Sequence, residues 1–440
     1  MTRLPLIALI AGTVALAGCT ERELVLPGQR LDTRAVFSPD GPAIEGETGP
    51  STAALSLPRV SNVANWTQVG SNAQHYAGNV AIGAGTQQIW RVNIGQAAGR
   101  RHRITADPVI AGGLIYTLDS EARVTATTTS GQPVWMKDLR PAGESGNSVS
   151  GGGIAYDGGR IFVTSGYGEL VGMDARSGAI VWRQNLGSAV SGSPAASNGT
   201  VYVTSRESMA YAVQGSDGKV IWQAGGNKGI AGVMGASAPA VSGSTVVFPF
   251  ASGQLMAVDM RNGTELWTAQ VAGTRMGRAI ALMRDMTGVP VIVGNRVFAG
   301  TSSGRMSSVD LATGAVQWDA RNGALNEPVP AGNSVFVVTD DSKLMRIDSS
   351  NGATVWSVSL PEFVDNRVKR QQKIYAHFGP TLAGSKLYVA STDGKLRVFS
   401  PQNGALLGEA AIPEGASTNP VVAGQTLYVV TTAGQLVAYR

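Results

Sequence analysis

The chain has 440 residues, of which 43% are hydrophobic, 15% are charged and 57 are glycine. Abundant glycine with little charge favours many short strands joined by tight turns over long amphipathic helices. The formal net charge is only +5 and the basic residues are scattered, which excludes the basic stripe of a nucleic-acid-binding protein. We therefore expect no nucleic-acid partner.

The first residues predict export. Arg3 precedes an apolar run, residues 4–17, that is too short for a comfortable membrane span, and "LAGC" ends at Cys19. This pattern is typical of a signal peptide over residues 1–18. Because Cys19 is the only cysteine of the chain, it has no partner for a disulfide within the chain.

The segment "LAGC" resembles a bacterial lipobox, in which the cysteine becomes the lipid-modified first residue of the mature protein. The resemblance implies that Cys19 carries acyl chains, palmitate among them, and anchoring by more than one chain is stable. Thr20 stands where an Asp commonly signals retention in the inner membrane of Gram-negative bacteria. We therefore expect a lipid anchor in the outer membrane, with the protein on the periplasmic face.

Residues 19–65 mix proline, glycine, serine and charge without a sustained period, which predicts a flexible tether. From residue 66 to residue 440 one spacing recurs, Asp-x3-Gly-x3-Trp. Its four full copies are Asp174, Gly178 and Trp182; Asp259, Gly263 and Trp267; Asp310, Gly314 and Trp318; and Asp348, Gly352 and Trp356. Partial copies keep Gly131 with Trp135, Gly218 with Trp222, and the turn glycine Gly404.

Each copy ends a unit of four apolar strands separated by glycine turns, as in residues 238–267. Units of about 40 to 50 residues that each form a small antiparallel sheet are typical of a β-propeller. The tryptophan positions, with Gly408 in place of one of them, predict eight blades. Residues 420–440 hold only three strands, and residues 87–95 are a lone strand with Trp90, so we expect the N-terminal strand to close the last blade.

A feature repeated around the whole ring is better explained by structure than by catalysis. The glycine suits a turn that needs a positive φ, and the Asp carboxylate can accept hydrogen bonds from turn amides. Burial of each tryptophan removes roughly 150 to 250 Å2 from water. The repeat therefore predicts contacts within and between blades.

The repeat also resembles that of pyrroloquinoline-quinone propellers, which implies eight blades and, in the enzymes, calcium, an Asp base and often a vicinal disulfide. This chain has no adjacent cysteines and no dense cluster of Asp, Glu and Asn that would supply six to eight oxygen ligands. Its histidines, His75, His102 and His377, have no metal-binding spacing. We expect no catalytic residue, metal or cofactor, and a quinone-dependent dehydrogenase or a ligand-binding propeller remains the alternative.

Four connections between blades have unusual compositions. Residues 99–103 (GRRHR) and 366–373 (NRVKRQQK) are basic, which fits either a solvated loop or an electrostatic contact with an acidic partner or lipid head groups. Residues 225–239 and 273–290 are apolar, with methionine and arginine, which interfaces favour. The composition of these two apolar connections predicts either a binding surface or a cap that folds back onto the blades.

The lipobox, the tether, the eightfold repeat and the two apolar loops together resemble the BamB family of lipoproteins in the outer-membrane β-barrel assembly machinery. The resemblance implies a non-catalytic scaffold that assists folding and insertion of outer-membrane proteins, binds the POTRA domains of BamA and other subunits, and contacts unfolded outer-membrane proteins. The family's first contact loop ends in Leu-x-Leu-Arg and its second carries Asp-x-Asp. The matching segments of this chain read Ala231, Val233 and Met234, then Asp285 and Thr287, so that Asp285 keeps the residue type and Val233 keeps the apolar character. With Arg284 in place of the lost positive charge, we expect Val233, Met234, Arg284 and Asp285 to be the partner-binding residues.

Overall fold

A computed structural model describes residues 52–83, 86–144, 151–190, 192–229, 238–271, 273, 286–365, 367 and 370–440. These residues form strands, turns and loops, with no α-helix among them. The same part of the chain holds no helical segment with the length and hydropathy needed to cross a membrane. The predicted all-β class is confirmed.

The strands are short and, after the first one, come in successive blades. An isolated strand, β1 (Gln88–Asn93), begins the series. Blades 1 to 4 contain β2 (Val109–Ala111), β3 (Leu114–Leu118), β4 (Arg123–Thr128) and β5 (Pro133–Asp138); β6 (Gly152–Asp157), β7 (Arg160–Ser165), β8 (Glu169–Asp174) and β9 (Ile180–Asn185); β10 (Ala195–Ser197), β11 (Thr200–Thr204), β12 (Met209–Gln214) and β13 (Val220–Gly225); and β14 (Ala240–Ser242), β15 (Thr245–Pro249), β16 (Gln254–Asp259) and β17 (Glu265–Gln270).

Blades 5 to 8 follow in the same pattern. They contain β18 (Gly288–Val293), β19 (Arg296–Thr301), β20 (Arg305–Asp310) and β21 (Val316–Ala320); β22 (Val329–Ala331), β23 (Ser334–Val338), β24 (Lys343–Asp348) and β25 (Thr354–Ser359); β26 (His377–Ala383), β27 (Lys386–Ser391), β28 (Lys395–Phe399) and β29 (Leu406–Ala411); and β30 (Val421–Ala423), β31 (Thr426–Val430) and β32 (Gln435–Tyr439).

The described strands form eight four-stranded antiparallel sheets, which are the eight blades of the predicted propeller. Seven sheets use four consecutive strands. The eighth has the order β1-β32-β31-β30, with Arg91 opposite Val437. The predicted closure of the ring by the N-terminal strand is therefore confirmed. Closure leaves the C-terminal strand β32 paired on both of its edges, with β1 on one side and β31 on the other.

The hydrophobic core lies between neighbouring blades. One cluster joins Val124 of blade 1 to Ile161 and Val171 of blade 2, and all three side chains are fully buried. Outer strands alternate instead: in β17, Leu266 is 51% exposed whereas Trp267 is 7% exposed. This period of two is what a sheet with one packed face requires.

Strand direction defines two faces of the propeller. Because the four strands of a blade are antiparallel, the first and third turns lie at one end, which we call the turn face. The second turns and the connections between blades lie at the other end, the connection face. The two basic and two apolar connections singled out in the sequence all belong to the connection face.

Residues 61–83, which we call the axial segment, run along the innermost strands. Trp66 exchanges two backbone hydrogen bonds of 2.7 Å with Ile110 of blade 1. Further backbone or side-chain hydrogen bonds join the segment to Tyr156, Ala196, Val241, Ile292, Leu382 and Gly424, which belong to blades 2, 3, 4, 5, 7 and 8 or to their turns. The segment thereby satisfies backbone groups on the open edges of the inner strands.

Blade 6 is contacted by the residues just before the axial segment. The buried Arg346 donates from one terminal nitrogen to the carbonyl oxygens of Ala53 and Ala54, at 3.0 and 3.2 Å. Leu55 and Leu57 pack against the core beside blade 6. The last part of the segment predicted as a tether, residues 53–65, therefore contacts the propeller, because its scattered apolar side chains meet pockets that local composition does not reveal. Residues 1–51 lie outside the described part of the chain.

Candidate functional site

The repeated turn is held by its aspartate. Asp174 accepts hydrogen bonds through Oδ1 from the backbone N–H and the hydroxyl of Ser177, at 2.8 and 2.6 Å. The Ser177 contacts hold the pKa of Asp174 below its usual value. The backbone N–H of Gly178 closes the turn on the carbonyl of Asp174, with φ of +71° at the glycine. Asp259, Asp310 and Asp348 accept turn amides in the same way.

The tryptophans join one blade to the next. Each indole lies against the turn glycine of the following blade, and its N–H donates to a carbonyl in the same turn. Trp135, Trp182, Trp222, Trp267, Trp318 and Trp356 donate to Ala175, Gly215, Met260, Leu311, Ser349 and Pro401 over 2.7 to 3.1 Å. Trp90 lies against Gly131 in the same manner. This contact gives the tryptophan and the glycine of each repeat a structural role between neighbouring blades.

The sequence-predicted partner residues fall outside the described residues. Val233 and Met234 belong to residues 230–237 of the first apolar connection, which we call the first loop. Arg284 and Asp285 belong to residues 274–285 of the second apolar connection, which we call the second loop. Cys19 also lies outside the described part. Their placement therefore stays a prediction, and the structure describes only the residues that flank the two loops.

Those flanking residues are fixed to neighbouring blades on the connection face. Before the first loop, the backbone N–H of Asn227 donates to Oε1 of Gln254 at 2.7 Å. After the second loop, Met286 is fully buried and the hydroxyl of Thr287 donates to the carbonyl of Ala324 at 2.7 Å. The residues before the first loop and after the second loop are therefore each held against a neighbouring blade.

The ends of the two loops meet in one small cluster. Ala238, which follows the first loop, packs with Val289, which follows the second, and with Val69 of the axial segment. All three side chains are less than one tenth exposed. The structure therefore brings together, across blades 4 and 5, two loops whose sequences lie about 50 residues apart.

The basic connections also lie on the connection face. Arg100 and Arg101 are exposed, and His102 Nδ1 is 2.9 Å from the hydroxyl of Ser120. In the second connection, Arg370 lies 3.9 Å from Asp365. These cations are solvent-accessible, and pairs of this kind contribute little to stability.

A small cavity lies between the axial segment and the connection-face ends of blades 6 and 7. It has a volume of about 20 Å3 and is lined by Trp66, His75, Tyr76 and Glu327, with several prolines. A cavity of roughly 10 to 15 Å3 suffices for one water molecule, so the space suits a water-sized group. Cofactor sites usually occupy roughly 300 to 1,000 Å3, so the described cavity does not fit a tricyclic quinone.

The histidine in this cavity has a defined tautomer. His75 Nδ1 lies 2.8 Å from the carbonyl oxygen of Pro290, and because a carbonyl only accepts, Nδ1 carries the hydrogen. Burial lowers the pKa of His75 to about 4, although the Pro290 carbonyl acts in the opposite direction. The neutral ring therefore presents Nε2 as an acceptor, and Nε2 has no partner among the described residues.

Two buried carboxyl groups lie beside the cavity. The backbone N–H and the side-chain amide of Asn419 both donate to Asp107, at 2.9 Å each, and the same amide nitrogen donates to Glu327 Oε2 at 3.1 Å. Burial, followed by the charge of Asp107, raises the pKa of Glu327 to about 8. Burial also raises the pKa of Asp107, with Asn419 opposing the shift. Near neutral pH the pair therefore retains a proton on Glu327.

Sequence reasoning missed this group. Asp107, Glu327 and Asn419 each precede a proline that comes directly before an inner strand, as do Ser193 and Ala238. Val289 and Gly379 precede a proline inside the inner strands β18 and β26. An alignment of the repeats on that proline, instead of on the tryptophan, would have shown two acids and an amide at one radial position. Trp66, the tryptophan outside the repeat series, was the second available signal.

The chain matches the family model described as outer membrane protein assembly factor BamB over residues 120–358 and 365–440. It is 31% identical over 244 residues to the BamB of Shigella dysenteriae and 30% identical over 244 residues to that of Escherichia coli K12. Each alignment covers 54% of this chain and 62% of the relative, so the match spans less than two thirds of those proteins.

Solved structures show the same fold. The crystal structure of BamB from Moraxella catarrhalis superposes with a TM-score of 0.68 at 20% identity, covering 80% of this chain and 99% of that one. The quinohemoprotein alcohol dehydrogenase of Comamonas testosteroni superposes with a TM-score of 0.66 at 14% identity, covering 86% of this chain and 81% of that one. At these identities the similarity concerns the propeller and not its chemistry.

Proposed function

The chain belongs to the family of the outer membrane protein assembly factor BamB, and on that premise we propose that it is a non-catalytic scaffold of the outer-membrane β-barrel assembly machinery. Family membership, supported by a match to more than half of the chain, carries the general function. The two curated relatives described above are both named outer membrane protein assembly factor BamB. The scaffold would assist folding and insertion of outer-membrane proteins.

The proposed location follows from the N-terminal sequence. Residues 1–18 would be removed as a signal peptide, and lipid on Cys19 would hold the protein at the periplasmic face of the outer membrane. The chain then reaches its first described contact at Ala53. As the flexible tether expected from the sequence, about 34 residues would span roughly 30 to 35 Å on average, which would leave the propeller free to reach partners beside the membrane.

The proposed partner is BamA, contacted through its POTRA domains by Val233, Met234, Arg284 and Asp285. The observation that supports this surface is the cluster of Val69, Ala238 and Val289, which holds the ends of both loops together on the connection face. Apolar anchors beside a charged pair are the composition expected of a contact surface. Unfolded outer-membrane proteins are a further proposed partner of the scaffold.

Co-purification tests the proposed surface. Met234→Asp combined with Asp285→Arg should abolish recovery of BamA with the tagged protein from detergent-solubilised envelopes. Lys386→Asp, an exposed change beside a turn on the opposite face, should leave recovery unchanged. Equal recovery by the double variant and the wild type would contradict this surface, whereas loss of recovery with both variants would show a general defect.

A quinone-dependent dehydrogenase is the competing function. The likeness to quinohemoprotein dehydrogenases is below 25% identity and concerns the fold alone. Titration with pyrroloquinoline quinone and Ca2+ discriminates between the two functions. A saturable change in the quinone absorption spectrum would overturn the scaffold proposal.

A further inference from the structure

The carboxyl groups beside the axial cavity have no counter-charge among the residues that the structure describes. Asp107 and Glu327 are both less than one tenth exposed, and neither forms an ion pair with a described lysine or arginine. One amide, that of Asn419, lies between them, and its own oxygen is occupied by the backbone N–H of Gly379 at 2.7 Å. Buried carboxylates require a proton, a cation or several hydrogen bonds.

The cavity adjoining this pair offers the features that a small nitrogen cation needs. His75 Nε2 is a buried acceptor without a described partner, and Glu327 lines the same space. Trp66 and Tyr76 complete the lining beside these two groups. The volume of about 20 Å3 accommodates one water-sized group.

We propose that this axial cavity binds an ammonium group, with His75 Nε2 and the Glu327 carboxylate as its acceptors. The group is either the free ammonium ion or the terminal group of a primary alkylamine. A metal ion fits less well, because the described His, Cys, Asp and Glu residues nowhere gather in a group of three that could hold one. An ammonium group, by contrast, carries several N–H donors that match a histidine lone pair and a carboxylate.

Binding would exchange one positive charge for another. When the cation enters, Glu327 releases its proton to solvent, and its carboxylate accepts an N–H hydrogen bond from the ligand. Up to one proton therefore leaves for each cation bound, and the affinity rises with pH as Glu327 ionises. The titratable groups that face the ligand are Asp107, His75, Tyr76 and Glu327, and His75 stays neutral throughout because burial keeps its pKa low. The site is independent of any contact with BamA.

Calorimetry on the whole protein tests the proposal. Ammonium chloride and methylammonium chloride are titrated near neutral pH, in two buffers of different ionisation enthalpy, with tetramethylammonium chloride at equal ionic strength as the control that lacks N–H donors. We expect saturable heat and proton release with ammonium, and none with tetramethylammonium. Binding of methylammonium as well would identify the terminal group of an amine as a ligand, and its failure to bind would identify the free ion. Absence of saturable heat, or an equal response to tetramethylammonium, would overturn the site.

A variant pair provides the second measurement. Glu327→Gln keeps the shape of the protonated acid and should lower the affinity for ammonium by about tenfold or more, without proton release. Glu265→Gln, on the exposed outer strand of blade 4, should bind like the wild type. If Glu327→Gln does not fold, the calorimetry on the wild-type protein still tests the role of Glu327. Ammonium binding without proton release would contradict that role.

Discussion

Gly218 lies so close to the indole of Trp182 that a Cβ atom on this glycine would be 2.6 Å from Cε3 of the ring. Trp182 lies on the outer strand that follows the third turn of blade 2, and Gly218 lies in the corresponding turn of blade 3. The indole N–H also donates to the carbonyl of Gly215 in that turn, at 2.9 Å. The repeat therefore forms a packing contact between adjacent blades. The glycine of one copy lacks a side chain and so leaves space for the tryptophan of the previous copy.

We expect Gly218→Ala to destabilise the protein by about 1 to 3 kcal/mol more than Gly199→Ala. Both glycines belong to blade 3 and have nearly the same φ, +79° and +78°, so the conformational strain is matched. A Cβ at Gly199 meets no atom within 4 Å, whereas one at Gly218 collides with Trp182. Thermal unfolding of both variants measures the difference in stability. Equal melting temperatures would show that Gly218 is not needed to accommodate the indole of Trp182.

We expect Trp182→Ala to lower the free energy of unfolding by about 3 to 5 kcal/mol, because a large buried side chain is lost. Trp182→Phe keeps most of the packing but removes the hydrogen bond to Gly215 and should cost less. Denaturant titration gives the stabilities, and BamA co-purification gives the function. Selective loss of partner recovery by a variant of unchanged stability would contradict a purely structural role for Trp182.

The pH dependence of stability should reveal the buried Glu327. Its pKa is raised from 4.5 to about 8 in the folded protein, so the folded state holds a proton that the unfolded state has lost. The contribution of this proton to the free energy of unfolding is therefore fully present below about pH 4.5. It declines by up to about 1.4 kcal/mol per pH unit as the pH rises to about 8.

Glu327→Gln should remove that part of the slope. Melting temperatures measured across this pH range should fall less steeply with rising pH in Glu327→Gln than in the wild type, and Glu265→Gln should follow the wild type. Parallel curves for wild type and Glu327→Gln would show that Glu327 does not hold its proton in the folded state.

Arg346→Met should release the residues that precede the axial segment. The guanidinium binds the carbonyls of Ala53 and Ala54 and the hydroxyl of Ser334, and methionine retains bulk but no donor. We expect faster amide hydrogen exchange around residues 53–57 with blade strands unchanged. Arg296→Met, whose parent arginine binds Ser308 and Gln317 in blade 5, is the matched control. Unaltered exchange at residues 53–57 would show that Arg346 does not hold this segment.

The sequence alone determined the architecture. Blade number, strand order and closure by β1 followed from a spacing that recurs within each repeat, since Asp174, Gly178 and Trp182 act through one turn and one adjacent blade. Contacts within one turn or between adjacent blades recur in every repeat, so a periodic pattern in the sequence predicts them. The role of Asp174 in its turn was predictable for the same reason. The partner-binding assignments of Val233, Met234, Arg284 and Asp285 stay predictions, because those residues lie outside the described part of the chain.

Only the tertiary structure decided what lies on the axis. Asp107 and Asn419 are 312 residues apart in sequence, but the side-chain amide nitrogen of Asn419 lies 2.9 Å from Oδ2 of Asp107. Closure of the ring places the starts of the inner strands around one axis, and the axial segment then covers them, with Trp66 and His75 beside Glu327. A repeat spacing describes how each blade is built, but it does not state which non-repeating residues converge once the blades form a ring. Burial, and the absence of a counter-charge within the described part of the chain, give this group its chemistry, and both arise only from that convergence.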